Sequence, residues 1–424
     1  MKRIFACVLV LAMLAGCGTT GRDEQSGEMP PPPPAETAGT ADLMEGVRGR
    51  ATDADAALTP ESEEALVDLG VRLLQGCLAG ENTLISPVSV IEAMAMAANG
   101  AAGDTLAQME DVFGFDVKAL NECLSLYARS LPEGEGGSVH LANGVWFNSD
   151  GSIAVKPAFL QANADWYGAG AFEAPFDAGT KDAINAWVAE HTKDRIDSIV
   201  DELSPGAAMV LVNALAFDGV WEDVYREDQL APGTFTTGDG ESRVAEMMNS
   251  TEEVYLQDEN AAGFIKYYEG RDYAFAALLP EEGVSPADYA ASLTGGKLRE
   301  LLTGGENTPV DVSMPKFSAE YGADLSGVLE KLGMTDAFDG ERADFSAMAE
   351  RAEGNLCIDR VLHKTFINVD EKGTEAGAAT AVEFRTMAML GGSRTVTLDR
   401  PFLYMLIDCE YSVPLFLGVV TDIG

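Results

Sequence analysis

The stretch EKGTEAGAATAVEFRTMAML, residues 371–390, restricts the fold of this chain more than any other segment. From Thr374 onward it separates by parity. Thr374, Ala376, Ala378, Thr380, Val382, Phe384 and Thr386 form a set without charge, whereas Glu375, Glu383 and Arg385 all fall in the alternate set with Gly377, Ala379 and Ala381. Period two marks a strand with one buried face. Yet glycine and alanine disfavour strands, so the rest of the chain must explain why a strand pattern is written in residues that hardly form strands.

At 424 residues, 46% of them hydrophobic and 23% charged, the chain is long enough for one large globular domain or two ordinary ones. Its 28 basic and 69 acidic residues give a net charge of -41. Nucleic acid and anionic membrane surfaces repel such a protein, whereas a basic partner is attracted. No cofactor or metal site is expected. Only three histidines occur, His140, His191 and His363, and there is no H-E-x-x-H, no G-x-S-x-G and no P-loop. An enzyme is therefore not expected.

The first residues, MKRIFACVLVLAMLAGC, combine Lys2 and Arg3 with a short apolar run and end in Leu-Ala-Gly-Cys. This reads as a signal peptide too short to span a bilayer. The ending resembles a bacterial lipobox, which implies lipidation of Cys17, a protein outside the cytoplasm, and membrane contact only through the N-terminal lipid. Residues 18–57, with five consecutive prolines at 30–34, are expected to form a disordered tether. Cys77, Cys123, Cys357 and Cys409 are widely spaced, without any C-x-x-C, and are expected as thiols or as one disulfide of unknown pairing.

Thr59-Pro60 and Ser86-Pro87 are helix starts, a capping residue followed by proline at the first helical position. Leu66, Leu69, Leu73 and Cys77 then recur at helical spacing, and Gly100 stops the second helix. Short apolar runs at 209–217, 273–279, 361–369, 402–407 and 415–420 read as buried strands, the last two as a terminal hairpin. Helical patterns lead and strands follow, which gives an α+β class without internal repeats.

NTLISPVSVIEAMAMAANGAAGDT (82–105), NALAFDGVW (213–221), MPKF (314–317), VLHKTFINVDEKGTEAGAAT (361–380), RPFLYMLID (400–408) and PLFLGVV (414–420) together resemble the serpins. The likeness runs from residue 58 to the end. It implies one α+β domain with three β-sheets, eight or nine helices and an exposed reactive loop over about residues 371–398. It also implies the function of a serine protease inhibitor. The target cleaves the loop and is held as an acyl-enzyme while the cut loop inserts as a new strand of the large sheet.

The parity pattern then has a reason. A loop that becomes a central strand needs small uncharged residues at alternate positions, and glycine and alanine keep it from being a strand beforehand. The resemblance implies a hinge of Glu371, Gly373, Thr374, Glu375, Ala376, Gly377, Ala378, Ala379 and Thr380. Counting from Glu371 as in the serpins, the resemblance implies a reactive bond at Met387–Ala388, which suits elastase-like or chymotrypsin-like serine proteases in a covalent complex with a monomeric inhibitor. Ser86, Ser89, Asn213 and His363 match a polar cluster beneath the centre of the large sheet, and Trp221 matches the tryptophan where insertion starts. Residues 117–131 hold only Lys118 and Arg129 as basic groups, so activation by polyanions is not expected. A substrate-like or non-inhibitory surface-binding serpin and an inhibitor of papain-like cysteine proteases are the alternatives.

Overall fold

Thr59 opens the first long helix as its cap, accepting from the Ser62 amide at 3.2 Å, and Pro60–Cys77 follows with Leu66, Leu69, Leu73 and Cys77 all buried. The computed structural model describes residues 39–50, 58–132, 136–374 and 394–424. These contain nine α-helices, a seven-, a six- and a four-stranded sheet, and a two-stranded ladder between Ile153–Val155 and Ala349–Arg351. The small ladder is additional to the three sheets expected.

The six-stranded sheet runs Thr83–Ile85, Pro414–Val420, Phe402–Asp408, Tyr273–Pro280, Ala261–Tyr267 and Val254–Gln257. Three of its inner strands, Tyr273–Pro280, Phe402–Asp408 and Pro414–Val420, are buried along their whole length, which is why they read as unbroken apolar runs rather than alternations. The expected terminal hairpin is present, pairing Phe402 with Val420 through Leu406 with Phe416.

The seven-stranded sheet runs Ala41–Asp42, Gly170–Ala174, Gly137–Asn148, Met209–Val220, Gly373–Thr374, Arg360–Val369 and Phe317–Asp324. Every residue of helix Pro87–Ala98 is buried. It packs against both Pro414–Val420 and the inner strands Met209–Val220 and Gly137–Asn148, so it lies between the two large sheets. A helix with no solvent face has no amphipathic stripe.

The tether expected over 18–57 does not run unbroken. Ala41 and Asp42 pair with Glu173 and Phe172 at the edge of the large sheet, and the Leu43 amide donates to the Ala171 carbonyl at 2.9 Å. The Arg50 guanidinium then donates to both Asp165 carboxylate oxygens, at 2.6 and 3.1 Å to Oδ2 and 3.3 Å to Oδ1. An open sheet edge offers unpaired backbone groups, and this segment satisfies them. Cys77, Cys123, Cys357 and Cys409 are free thiols, the first two buried.

Candidate functional site

The centre of the large sheet is a seam between two parallel strands. Arg360 to Thr365 pair directly with Val210 to Leu215. Above Thr365 the two strands part, and Gly373 and Thr374 lie between them, paired with Val220 and Gly219 on one side and, through Thr374, with Val369 on the other. The chain reaches this position by turning back on its own strand at residues 370–373. Asp370 makes the turn: its carboxylate accepts from the amides of Lys372 and Gly373 at 2.7 and 3.2 Å, and its own amide donates to the Gly373 carbonyl at 3.0 Å. Gly373 is required there, because a Cβ would collide with the backbone of Gly219 and Val220.

Trp221 anchors the turn. The indole N–H donates to the Asp370 carbonyl at 2.8 Å, its amide to the Lys372 carbonyl at 2.9 Å, and the Tyr225 amide to the Glu371 carbonyl at 2.9 Å. Behind it Lys266 is fully buried, bonded to Glu252 at 3.0 Å, with its ammonium 4.5 Å from the Tyr225 ring centroid and 5.4 Å from that of Trp221. Burial acts to lower its pKa, but Glu252, Tyr225 and Asp223 together outweigh it and the net shift is upward. Glu371 itself pairs with Lys316 at 2.7 Å, and this hydrogen bond holds its carboxyl below the ordinary range.

Eight residues further down the same strand, about 26 Å at roughly 3.3 Å per residue, lies a buried polar chain that crosses the seam. The Ser86 amide donates to His363 Nε2 at 3.1 Å, and His363 Nδ1 contacts Asn213 Oδ1 at 2.6 Å. Asn213 Nδ2 donates to the Ser89 carbonyl at 2.5 Å and to Asn143 Oδ1, and Asn143 Nδ2 donates to Glu92 Oε2 at 2.8 Å. Since Asn213 Oδ1 can only accept, His363 carries its proton on Nδ1, and one line of donors runs from the Ser86 amide through His363, Asn213 and Asn143 to Glu92. Burial pushes the His363 pKa down to about 3, so the ring is neutral. It pushes the Glu92 carboxyl up to about 8, against the hydrogen bond from Asn143.

The structure thus brings Ser86, Ser89, Asn213 and His363 together, with one change. The two serines take part through their backbones, and their buried hydroxyls have no hydrogen-bond partner among the described residues. Glu92 and Asn143 were missed. A lone acid in VSVIEAMAMAA, and an asparagine amid the apolar residues of ANGVWF, were the available signals. Of the hinge, Glu371, Gly373 and Thr374 are placed. Glu375, Ala376, Gly377, Ala378, Ala379 and Thr380, the bond Met387–Ala388 and Cys17 lie outside the described residues.

The chain is similar to known proteins along most of its length. The family profile described as Serpin (serine protease inhibitor) matches residues 64–423. Human leukocyte elastase inhibitor is 31% identical over 372 residues, 83% of this chain and 96% of that one. A serpin-like protein of Thermococcus kodakarensis is 31% identical over 352 residues, 80% of this chain and 81% of that one. Tengpin, a thermophilic serpin, superposes in its native state with a TM-score of 0.87 at 39% identity, covering 91% of this chain and 100% of that one. Its latent state superposes with a TM-score of 0.77 at 37% identity, over 87% of this chain and 100% of that one. A profile match across nearly the whole folded part, joined to such identities over most of each chain, makes this protein a member of the serpin family.

Proposed function

We propose that this serpin is a suicide inhibitor of serine proteases with elastase-like or chymotrypsin-like specificity. The protease serine oxygen attacks the Met387 carbonyl carbon, the bond to the Ala388 nitrogen breaks, and that nitrogen leaves with a proton as the new N-terminus of the C-terminal fragment. The acyl ester left on Met387 is then carried away from productive hydrolysis as the loop enters the seam. The observation that carries this reading is the seam itself: two parallel strands paired directly over residues 360–365, with the hinge already lying between them above that point. Small uncharged residues at alternate loop positions support it. So does the greater likeness to tengpin in its native than in its latent state, and Met387 accords with the inhibitor of leukocyte elastase among the relatives.

The test is to mix the purified protein with pancreatic or neutrophil elastase, run a denaturing gel, and sequence the N-terminus of the released fragment. A band at the summed mass and a fragment beginning at Ala388 are expected. Cleavage at that bond without an adduct would refute trapping. Thr374→Arg places a charge on the face that must be buried, so the loop should still be cut while the adduct disappears.

The reading extends to place and encounter. Cys17 is the lipidation site that holds the protein to a bacterial envelope, residues 1–17 being its signal and the proline-rich stretch its spacer. Incorporation of labelled fatty acid, lost in Cys17→Ser, checks this. The charge of -41 attracts cationic proteases, so association rates should fall as salt shortens the Debye length.

A further inference from the structure

We propose that the Tyr268 hydroxyl is the positioning group that seats the loop hinge in the upper seam, so that insertion begins from a strand already started and in register. This rests on the inhibitory reading above. Tyr268 follows the strand Ala261–Tyr267 and is fully buried. Its backbone is tied to Trp221 by an isolated bridge and to the Tyr273 carbonyl through its amide at 3.0 Å. Its ring is clamped as well, stacked on Trp221 at 4.4 Å and 19° and edge-on to Phe217 at 5.1 Å. Gly219 leaves the room, since a Cβ there would meet the Tyr268 ring at 2.8 Å and Phe217 at 2.5 Å. Packing therefore fixes where the hydroxyl points.

It points at Thr374. The two hydroxyl oxygens are 2.5 Å apart, and both residues are fully buried. Among the described residues neither hydroxyl has another hydrogen-bond partner. Had the site needed only packing, valine and phenylalanine would fill the same space without two buried hydroxyls to satisfy. The pair instead recognises one register. A slip by one residue would bring Glu375 to the Tyr268 position and bury its charge, whereas the observed register puts an uncharged residue inward. Seating is then an equilibrium that the hydroxyl pair biases, and the rate of insertion scales with the seated fraction.

Hydrogen exchange on the full chain tests the seating directly, since the amides of Trp221 and Tyr225 are bonded to hinge carbonyls. Tyr268→Phe and Thr374→Val each strand one buried hydroxyl, so both should speed exchange at Trp221 and Tyr225 by about tenfold. Thr374→Ser keeps a hydroxyl and should exchange like the wild type, and the double variant should fall well short of the product of the single effects. Wild-type exchange in both single variants would overturn the proposal. So would independent effects, or Thr374→Ser matching Thr374→Val. The second readout is the number of inhibitor molecules consumed per elastase trapped, which should rise several-fold in Tyr268→Phe with the rate of loop cleavage unchanged. Faster exchange with unchanged partitioning would overturn the step from seating to insertion. If the wild type forms no adduct at all, the inhibitory reading fails, while the exchange experiment still decides the role of Tyr268.

Discussion

The two large sheets handle polarity in opposite ways. In the six-stranded sheet, strands Tyr273–Pro280, Phe402–Asp408 and Pro414–Val420 are buried throughout. Phe275, Phe402 and Tyr404, with Phe317 from the other sheet, form one cluster of rings with centroids 5.2 to 6.5 Å apart. In the seven-stranded sheet the seam is crossed by Asn143, Asn213, His363 and Glu92, and Thr365 donates to the Leu84 carbonyl at 2.7 Å. Apolar contacts are non-directional and individually small, so separating the first sheet would forfeit all of them together. Hydrogen bonds across a seam can be exchanged one for one with an incoming strand. The difference teaches where the proposed insertion would open the molecule, along a line where the loss can be made good, while the neighbouring sheet holds the domain together.

The largest effect should come from breaking the closed half. Phe402 is fully buried against Phe235, Phe317 and Tyr404. Phe402→Ala should cost about 3–5 kcal/mol, read as a fall in the denaturant midpoint of the intact protein or as loss of soluble protein. An unchanged midpoint would mean that the ring cluster is not what holds this half.

Next in size is a change that stabilises the openable half. The ordinary Glu92 carboxyl titrates near 4.5 and the buried one near 8, burial being the dominant cause. Its neighbours Tyr127 and Tyr167 stay uncharged, because burial pushes both well up. Between those values the folded chain holds a proton that the unfolded chain has lost. The stability this gives is complete below about pH 4.5 and is lost as the pH rises to about 8, where the folded state begins to carry a buried charge. Glu92→Gln cannot ionise, so its advantage over the wild type should grow with pH to about 4 kcal/mol near pH 8. Thermal melts of the two proteins from pH 5 to 9 check it. Parallel curves would show that Glu92 does not titrate in this range.

The same contrast governs what could be read from the sequence. The closed half was legible, because unbroken apolar runs at 273–279, 402–407 and 415–420 have few other uses, and strands lie on all three. The helix start at Thr59-Pro60 was legible as well, since its cap is local chemistry. The strand Gly137–Asn148 was not: His140, Asn143 and two glycines interrupt its apolar pattern, and the reason for His140 and Asn143 lies in partners 78 and 51 residues away. Glu92 stood out as an acid in an apolar helix, but nothing local says that Asn143 meets it. Tyr268 was invisible for the same reason, its partner Thr374 lying 106 residues on. Ser86 was placed correctly as a helix start, yet it caps nothing with its side chain and gives its amide to His363.

The smallest expected effect concerns the far edge of the openable sheet, where Ala41–Asp42 extends it by one short strand. That edge is held by few backbone bonds and by Arg50, whose guanidinium holds the Asp165 carboxyl down to about 2. Arg50 is largely exposed, so the pair is worth little to the stability of the domain. Arg50→Ala should leave the melting curve where it is. Its effect should be local: residues 39–50 become cleavable by a protease that leaves them intact in the wild type, and the amide of Leu43 exchanges faster. If the substitution lowered the melting temperature by several degrees, the edge would be bearing on the seam, and the division between one closed half and one openable line would have to include a third element that clamps the sheet from its rim.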